Sequence, residues 1–220
     1  MKMITETAPE LFEQLDFIEN PFYENIITDL VENQYCIVDD FFDAEEVAML
    51  RNSLKSKFEE AQFKKAAIGN KTNEIVAKSI RGDFILWLNE AEAGKAENLF
   101  FNKINSLVGY LNKTCFLGIL TKEFHYALYP EGTFYQRHLD TFQNDGRRKL
   151  SMVCYLNEED WKPENGGELV IYSEENGVEV SKAIYPMPGR VVIFESQVLE
   201  HEVKPVKTAR LSITGWLKTR

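Results

Sequence analysis

The feature that most constrains the fold is a series of short β-rich segments in the C-terminal half of the chain. The segments are EFHYALYP (123–130), TFYQRHLD (133–140), KLSMVCYLN (149–157), GELVIYS (167–173), VEVSKAIYP (178–186), RVVIFES (190–196), HEVKPV (201–206) and RLSITGWLK (210–218). Turn-forming stretches such as KPENGG and EENG separate them. Short β-rich runs with this punctuation are typical of antiparallel strands. Eight of them predict a sandwich, a barrel or a jelly roll.

The preceding part of the chain is predicted to be mostly helical. Apolar residues recur at helical spacing in 7–34 (broken near Pro21), 41–63 and 92–115. Asp43 with Glu46 three residues on has the pattern of a helix capping box. The third segment carries one apolar stripe of Leu99, Phe100, Ile104, Leu107 and Leu111. Strands are predicted at 35–41 and 82–88, a loop at 70–78, and helices on one outer face of the β unit.

Composition excludes several classes of protein. With 220 residues, 44% hydrophobic and 27% charged, the chain has the make-up of one globular domain. A net charge of −10 argues against a nucleic-acid partner. Cys36, Cys115 and Cys154 form no C-x-x-C pair, so neither a disulfide framework nor a zinc knuckle is indicated. Without a signal-like or membrane-spanning apolar run, we expect a cytoplasmic protein that does not contact membranes.

Two potential metal ligands lie two residues apart in RHLDTF (137–142), in a chain with three histidines. Alternate residues of a strand share a face, so His138 and Asp140 would point into one space. A surface strand with polar residues around Leu139 is the alternative interpretation. His201, which opens another predicted strand, would complete a set of two imidazoles and one carboxylate. Non-haem Fe(II) sites use this set, and zinc is the rival on ligand type alone.

Arg210 is a candidate anion-binding residue. It opens the last predicted strand, whose Leu211, Ile213 and Trp216 have the character of core residues. A guanidinium that faces the interior of a β unit requires an anion, and its planar fork fits a carboxylate. An exposed strand position beside Lys207 is the alternative.

The chain resembles the prolyl hydroxylase domain branch of the 2-oxoglutarate- and Fe(II)-dependent dioxygenases over residues 35–218. The motifs that carry the resemblance are VDDFF (38–42), IRGDFILWL (80–88), YPEGTFYQRHLD (129–140), DGRRKLSMVCYLN (145–157), DWKPENGGELVIY (160–172), GRVVIFES (189–196) and HEVKPVKTARLSITGW (201–216). The resemblance implies a mainly β fold, a double-stranded β-helix or jelly-roll barrel with N-terminal helices on one face. It also implies one domain over 1–220, with helical decoration over 1–34 and the dioxygenase jelly roll over 35–218.

Roles for single residues follow from the same resemblance. His138, Asp140 and His201 match the iron ligands. Arg210 and Tyr155 match the residues that bind the distal carboxylate of 2-oxoglutarate. The other residues that match the cosubstrate pocket are Tyr129, Thr214, Val153, Leu169 and Val203. Without the resemblance, the tyrosines and aliphatic residues would be interpreted as ordinary core. His125 matches no role and is interpreted as structural.

The connection 140–150 matches a loop that folds over bound peptide in the resembled family. Its predicted substrate-contacting residues are Asn144, Asp145, Gly146 and Arg147. Asp83 and Arg147 would pair to tether the base of this loop. A solvated hairpin turn with no role is the alternative.

The implied reaction hydroxylates an unactivated C–H bond and converts 2-oxoglutarate to succinate and CO₂, with Fe(II) as cofactor and O₂ as second cosubstrate. Ascorbate is a further candidate cofactor. A prolyl residue of a protein is the first choice of substrate, with elongation factor Tu or a ribosomal protein as candidates. A free amino acid or other small molecule is the second, and a catalytically weak ligand-binding sensor is the third.

Overall fold

The computed structural model describes residues 18–66, 80–141 and 146–220. In these ranges the helices are α1 (Pro21–Asn33), α2 (Ala44–Glu59) and α3 (Lys95–Cys115), with 3₁₀ turns at Glu90–Glu92 and Pro163–Asn165. The strands are β1 (Tyr35–Val38), β2 (Lys64–Lys65), β3 (Phe84–Trp87), β4 (Thr121–Tyr129), β5 (Tyr135–His138), β6 (Arg148–Tyr155), β7 (Leu169–Glu175), β8 (Val178–Ile184), β9 (Val191–Glu195), β10 (Glu200–Val203) and β11 (Arg210–Lys218). The predicted loop at 70–78 and the first part of the predicted helical segment 7–34 lie outside the described residues.

The strands form two antiparallel sheets. The larger has the order β1-β9-β6-β11-β4-β3-β2, and the smaller has the order β5-β10-β7-β8. One apolar cluster contains residues of both sheets, such as Val153 and Phe194 from the larger and Ile171 and Val203 from the smaller. The sheets therefore face each other across a shared core. They are not joined into a closed barrel, which corrects the barrel part of the prediction and leaves an open two-sheet arrangement.

The helices cover the other face of the larger sheet. A second apolar cluster joins Leu50 of α2 and Ile104 of α3 to Met152 and Ile213 of the sheet. Strands β6 and β11 are buried on both faces. Alternate residues of β6 divide between the two clusters, whereas the clustered residues of β11 (Leu211, Ile213 and Leu217) all lie on the side of the helices. This division turns Tyr155 toward the smaller sheet, and the predicted packing of the helices on one outer face is confirmed.

Local sequence signals account for where the helices begin. Asp43 Oδ1 accepts a hydrogen bond from the Glu46 amide at 2.8 Å, and Glu46 Oε2 accepts one from the Asp43 amide at 2.9 Å. The predicted capping box is therefore present. The predicted break near Pro21 is the start of α1, where Asn20 caps the first turn and proline needs no amide donor.

Each of the eight predicted C-terminal strands is present; β11 has the predicted ends, and the other seven have shifted ends. One shift matters for the site: the segment predicted as a strand over 133–140 leaves the sheet after His138. Asp140 lies in a bend, and its carbonyl accepts a hydrogen bond from Arg148 Nη1 at 3.4 Å instead of from a strand partner. Over the described ranges, no helix is long and apolar enough to cross a membrane.

Candidate active site

Three potential metal ligands meet at one edge of the smaller sheet. His138 at the end of β5 lies directly opposite His201 on β10. Asp140 follows β5, and its two carboxylate oxygens lie 3.5 Å from His138 Nε2 and 3.5 Å from His201 Nε2. One ligand atom from each residue lies within 4.8 Å of the others. Sequence positions that are far apart are thus brought together by the pairing of β5 with β10.

Backbone carbonyls orient both imidazoles. His138 Nδ1 lies 2.7 Å from the carbonyl oxygen of Gln136, and His201 Nδ1 lies 3.2 Å from that of Leu199. A carbonyl accepts a hydrogen bond, so each Nδ1 carries the proton and each Nε2 is left with a lone pair. Both lone pairs are then available to a metal beside Asp140, an orientation typical of ligating histidines.

The protonation states suit metal binding. Burial raises the pKa of Asp140, but His201, His138 and the Ser151 hydroxyl at 2.7 Å outweigh it and hold the pKa well below its usual range. Burial lowers the pKa of His201 to about 4, against the opposing effect of Asp140. Metal ligands must be deprotonated, and near neutral pH these two residues are a carboxylate and a neutral imidazole. Ser151 is held in turn by the Ser196 hydroxyl at 2.9 Å.

A buried cation that forms no ion pair within the described ranges lies in the same space. The Arg210 side chain is 1% exposed, and its Nε has no hydrogen-bond partner among the described residues. Its Cζ lies 4.9 Å from the ring centre of Tyr155 and 5.0 Å from that of Tyr129. The buried Tyr155 hydroxyl also lacks a partner among the described residues. A buried guanidinium whose Nε has no partner among the described residues, beside a phenol in the same situation, fits a carboxylate ligand.

A glycine makes room for this cation. Gly167 has φ of +70°, and a Cβ there would lie 3.0 Å from Arg210 Cδ. Any larger residue would strain the backbone and press on the guanidinium stem. The GGEL stretch therefore contributes space to the anion pocket as well as a turn.

The metal cluster and Arg210 line one cavity of about 610 Å³. The remaining predicted pocket residues that line it are Tyr129, Thr214, Val153, Leu169 and Val203, while Tyr155 lies against Arg210. Drug-sized ligands occupy cavities of roughly 300–1,000 Å³. The cavity therefore has room for a small diacid together with part of a second substrate.

The predicted substrate loop is only partly described. Asn144 and Asp145 lie outside the described residues, whereas Gly146 and Arg147 are exposed in a turn before β6. Neither of these two lines the cavity. Contact of this loop with a substrate stays a prediction.

Comparison with known proteins identifies the family. Residues 124–218 match the model of the 2OG-Fe(II) oxygenase superfamily. A prolyl-4-hydroxylase of Pseudomonas putida is 35% identical in sequence and superposes with a TM-score of 0.79, over 91% of this chain and 100% of that one. The chain belongs to the 2OG-Fe(II) oxygenase superfamily. The predicted resemblance to prolyl hydroxylases and the predicted jelly-roll fold are confirmed for this dioxygenase.

Two further relatives of the oxygenase are hydroxylases. A prolyl hydroxylase of Trichoplax adhaerens, solved with a peptide fragment of hypoxia inducible factor, is 27% identical with a TM-score of 0.79, over 89% of this chain and 88% of that one. A PKHD-type hydroxylase of Synechococcus sp. (strain CC9605) is 38% identical over 90 residues, which are 40% of this chain and 38% of that protein. The match thus spans well under half of the Synechococcus protein. The family implies Fe(II), 2-oxoglutarate and O₂, and a role for ascorbate stays a prediction.

The ligand set of this oxygenase fits Fe(II). Two imidazoles and one carboxylate on one side of a cavity leave coordination positions open on the other. Arg210, a buried cation that lines the same cavity, is a feature that the ligand set of a zinc site does not require. His138, Asp140 and His201 could hold the metal, and Arg210 with Tyr155 could hold the far carboxylate.

The predicted tether between Asp83 and Arg147 is wrong. Both oxygens of the buried Asp83 carboxylate are bonded to Arg81, at 2.8 Å from its Nε and 2.6 Å from its Nη2. The Arg81 guanidinium lies 4.4 Å from the ring centre of Tyr135, whose ring stacks on His138 at 3.7 Å. The RGD motif of the oxygenase thus supports a metal-ligand candidate. The sequence signal for the Arg81–Asp83 pair was the R-x-D spacing, because alternate residues of a strand lie on the same face.

Asn157 is a supporting residue that sequence reasoning missed. Its Oδ1 accepts a hydrogen bond from the Leu211 amide at 2.7 Å, and its Nδ2 donates to the Pro186 carbonyl at 2.7 Å. This buried side chain fixes the start of β11 beside Arg210. Its place in the YLN motif was the only sequence signal for it.

Proposed function

We propose that this oxygenase hydroxylates a prolyl residue of a protein substrate and converts 2-oxoglutarate to succinate and CO₂. The observation that carries the proposal is the buried Arg210, which lines the same cavity as the His-Asp-His cluster and forms no ion pair with any residue that the structure describes. The P. putida and T. adhaerens relatives, both described as prolyl hydroxylases, support the choice of residue. Elongation factor Tu and ribosomal proteins are the candidate substrates, in a cytoplasmic setting.

Each part of the cavity has a task in this proposal. Bound Fe(II) would supply the O₂ activation that oxidises 2-oxoglutarate and a C–H bond of the substrate. His138 and His201 present fixed Nε2 lone pairs, and Asp140 presents a carboxylate oriented by Ser151. These residues hold the metal at the edge of the smaller sheet.

The inner end of the cavity holds the cosubstrate in one orientation. Arg210 donates to its far carboxylate, and the Tyr155 hydroxyl donates to the same group. Tyr129 and Thr214 flank it. The apolar walls, formed by Val153, Leu169 and Val203, exclude water from the reacting groups.

The test is incubation with a proteome extract, Fe(II) and 2-oxoglutarate, followed by peptide mapping. We expect prolyl peptides that gain the mass of one oxygen atom, together with stoichiometric succinate. An Asp140→Asn protein is the matched control and should give neither. Oxygen gain on small molecules without any modified peptide would favour the free amino acid alternative. Wild-type protein that yields neither kind of product would contradict the proposal.

Tyr155→Phe is expected to weaken 2-oxoglutarate binding without damaging the fold. One hydrogen bond is worth about 0.5–1.5 kcal/mol, so the dissociation constant should rise roughly 2- to 10-fold. The hydroxyl is buried without a partner among the described residues, so its removal should not lower the free energy of unfolding of the unloaded protein. Titration calorimetry and denaturant unfolding measure the two quantities.

Tyr172→Phe is the matched control for this change. The Tyr172 hydroxyl is bonded to Glu202 on the outside of the smaller sheet. Its loss should leave 2-oxoglutarate affinity unchanged. If both substitutions change the affinity for 2-oxoglutarate equally, Tyr155 is not part of the cosubstrate site.

A further inference from the structure

His125 lies on the wall of the cavity. It is on β4, directly opposite Thr214 of β11 and Trp87 of β3. The side chain is 2% exposed and is among those that line the cavity. Its imidazole lies 4.9 Å from the Trp87 ring and 5.7 Å from the Trp216 ring, measured between ring centres. The sequence-based interpretation of His125 as purely structural does not explain this position.

Two polar atoms on this wall have no partner in the part of the chain that the structure describes. Both His125 Nδ1 and Trp216 Nε1 are buried and lack a hydrogen bond among the described residues. Buried polar atoms without a partner each destabilise a fold by about 1–3 kcal/mol, so two of them beside a cavity point to a ligand that bonds them. An indole nitrogen can only donate, whereas a neutral imidazole can also accept. The wall therefore suits a ligand with one acceptor and one donor close together.

The charge state of the wall distinguishes between ligands. Burial is the largest of the effects that lower the pKa of His125 to about 3, and the nearby Arg81 adds to it. Asp83 acts in the opposite direction. The imidazole is then neutral near pH 7, and Arg81 is already bonded to Asp83 through both carboxylate oxygens. The Arg148 guanidinium lies over the Trp216 ring, with its Cζ 3.4 Å from the ring centre. A carboxylate can accept from the indole N–H, but it has no N–H to donate to a neutral imidazole, so it would leave one of the two atoms without a partner. A peptide group, which is neutral and has one donor and one acceptor, satisfies both atoms.

The position of the wall assigns it to the substrate that is oxidised. Arg210 and Trp216 are both on β11, six residues apart, with Arg210 at the inner end of the cavity. Trp87 is 51% exposed and marks the mouth. A diacid held by Arg210 at one end and by the metal cluster at the other leaves the space beside Trp87 to the second substrate.

We propose that His125 and Trp216 form a subsite for a peptide group of the oxidised substrate. The indole N–H donates to its carbonyl, and the imidazole accepts from its N–H. This subsite selects a residue within a peptide over a free amino acid. The proposal rests on the proposed function and narrows its substrate class.

The first test observes His125 directly. Protein labelled with ¹⁵N-histidine is loaded with 2-oxoglutarate and Zn(II), a diamagnetic substitute for Fe(II), and titrated with N-acetyl-L-prolinamide or L-proline. The chain has three histidines, two of which are in the metal cluster, so a His125→Gln spectrum assigns the third. We expect a saturable shift of the His125 ring nitrogens with the amide and none with L-proline. No shift with the amide, or equal shifts with both, would overturn the proposal.

The second test uses turnover on the proteome extract. His125→Phe keeps a ring but removes the hydrogen bond, whereas His125→Gln keeps a polar group. We expect the yield of hydroxylated peptide to fall about tenfold or more for phenylalanine, as for loss of one or two hydrogen bonds, and to be largely retained for glutamine. Equal yields from the phenylalanine variant and the wild type would overturn the subsite and leave the proposed function intact. A shift of the His125 ring nitrogens without any hydroxylated proline would contradict the proposed function and leave the subsite intact.

Discussion

Asp140→Asn is expected to remove stoichiometric iron and all turnover from the oxygenase. The carboxylate supplies the only negative charge in the metal cluster, and its oxygens lie between the Nε2 atoms of His138 and His201. Asparagine keeps the size and can still accept from Ser151, so the fold should survive. The loss in metal affinity should exceed the roughly 10–100-fold that loss of an outer hydrogen-bond partner causes. Metal analysis after dialysis and Mn(II) titration measure it.

Glu200→Gln is the matched control for Asp140→Asn. Glu200 is next to His201 on β10, but its side chain is bonded to Arg137 on the outer face of the sheet. The substitution removes one negative charge at the same edge of the smaller sheet, but Glu200 does not contact the metal cluster. Full iron occupancy is expected. An Asp140→Asn protein that binds iron as well as this control would show that the cluster is not the metal site.

Arg210→Met should raise the dissociation constant for 2-oxoglutarate strongly while leaving metal binding intact. A hydrogen bond to a charged group is worth about 1.5–3 kcal/mol, which is about one to two factors of ten in affinity. Methionine fills most of the volume, and replacing an unpaired buried cation by an apolar side chain is often neutral or stabilising. The unloaded protein should therefore be at least as stable as wild type. Calorimetric titration and thermal unfolding test the two parts separately.

Arg190→Met provides the comparison for Arg210→Met. Arg190 is bonded to Asp39 near the surface and does not line the cavity. Its replacement should leave 2-oxoglutarate affinity unchanged. If Arg210→Met also binds 2-oxoglutarate normally, the anion site lies elsewhere in the cavity.

The sheet framework could be predicted because its signals are local. Strands such as β6 and β11 are short runs of β-forming residues between turns, and each side chain's face follows from its position in the strand. For Arg210 this alternation left an exposed position open, and burial of β11 on both faces places the side chain inside the protein. The capping box at Asp43 is equally local, since both partners lie within one helical turn.

Features that depend on tertiary placement could not be predicted in the same way. Asp140 reaches the cluster from a bend instead of a strand, and its carbonyl accepts from Arg148, eight residues further along the chain. Asp83 pairs with Arg81 two residues away and not with Arg147; the R-x-D spacing allowed this pair, but the sequence did not exclude the other. His125 was set aside because the resembled family gives it no role, although Tyr129, four residues on and on the same face of the strand, was predicted to line the pocket.

The two ends of the cavity belong to different sheets. Arg210 and Tyr155 are on β11 and β6 of the larger sheet, and His138 and His201 are on β5 and β10 of the smaller one. A diacid that binds at both ends must therefore have a length that matches the distance between the sheets. Many interleaved apolar side chains set that gap, so no single residue determines it. We therefore expect that point substitutions which greatly weaken 2-oxoglutarate binding still leave the protein with its preference for 2-oxoglutarate. The preference is measured against 2-oxo diacids that are one methylene shorter or longer.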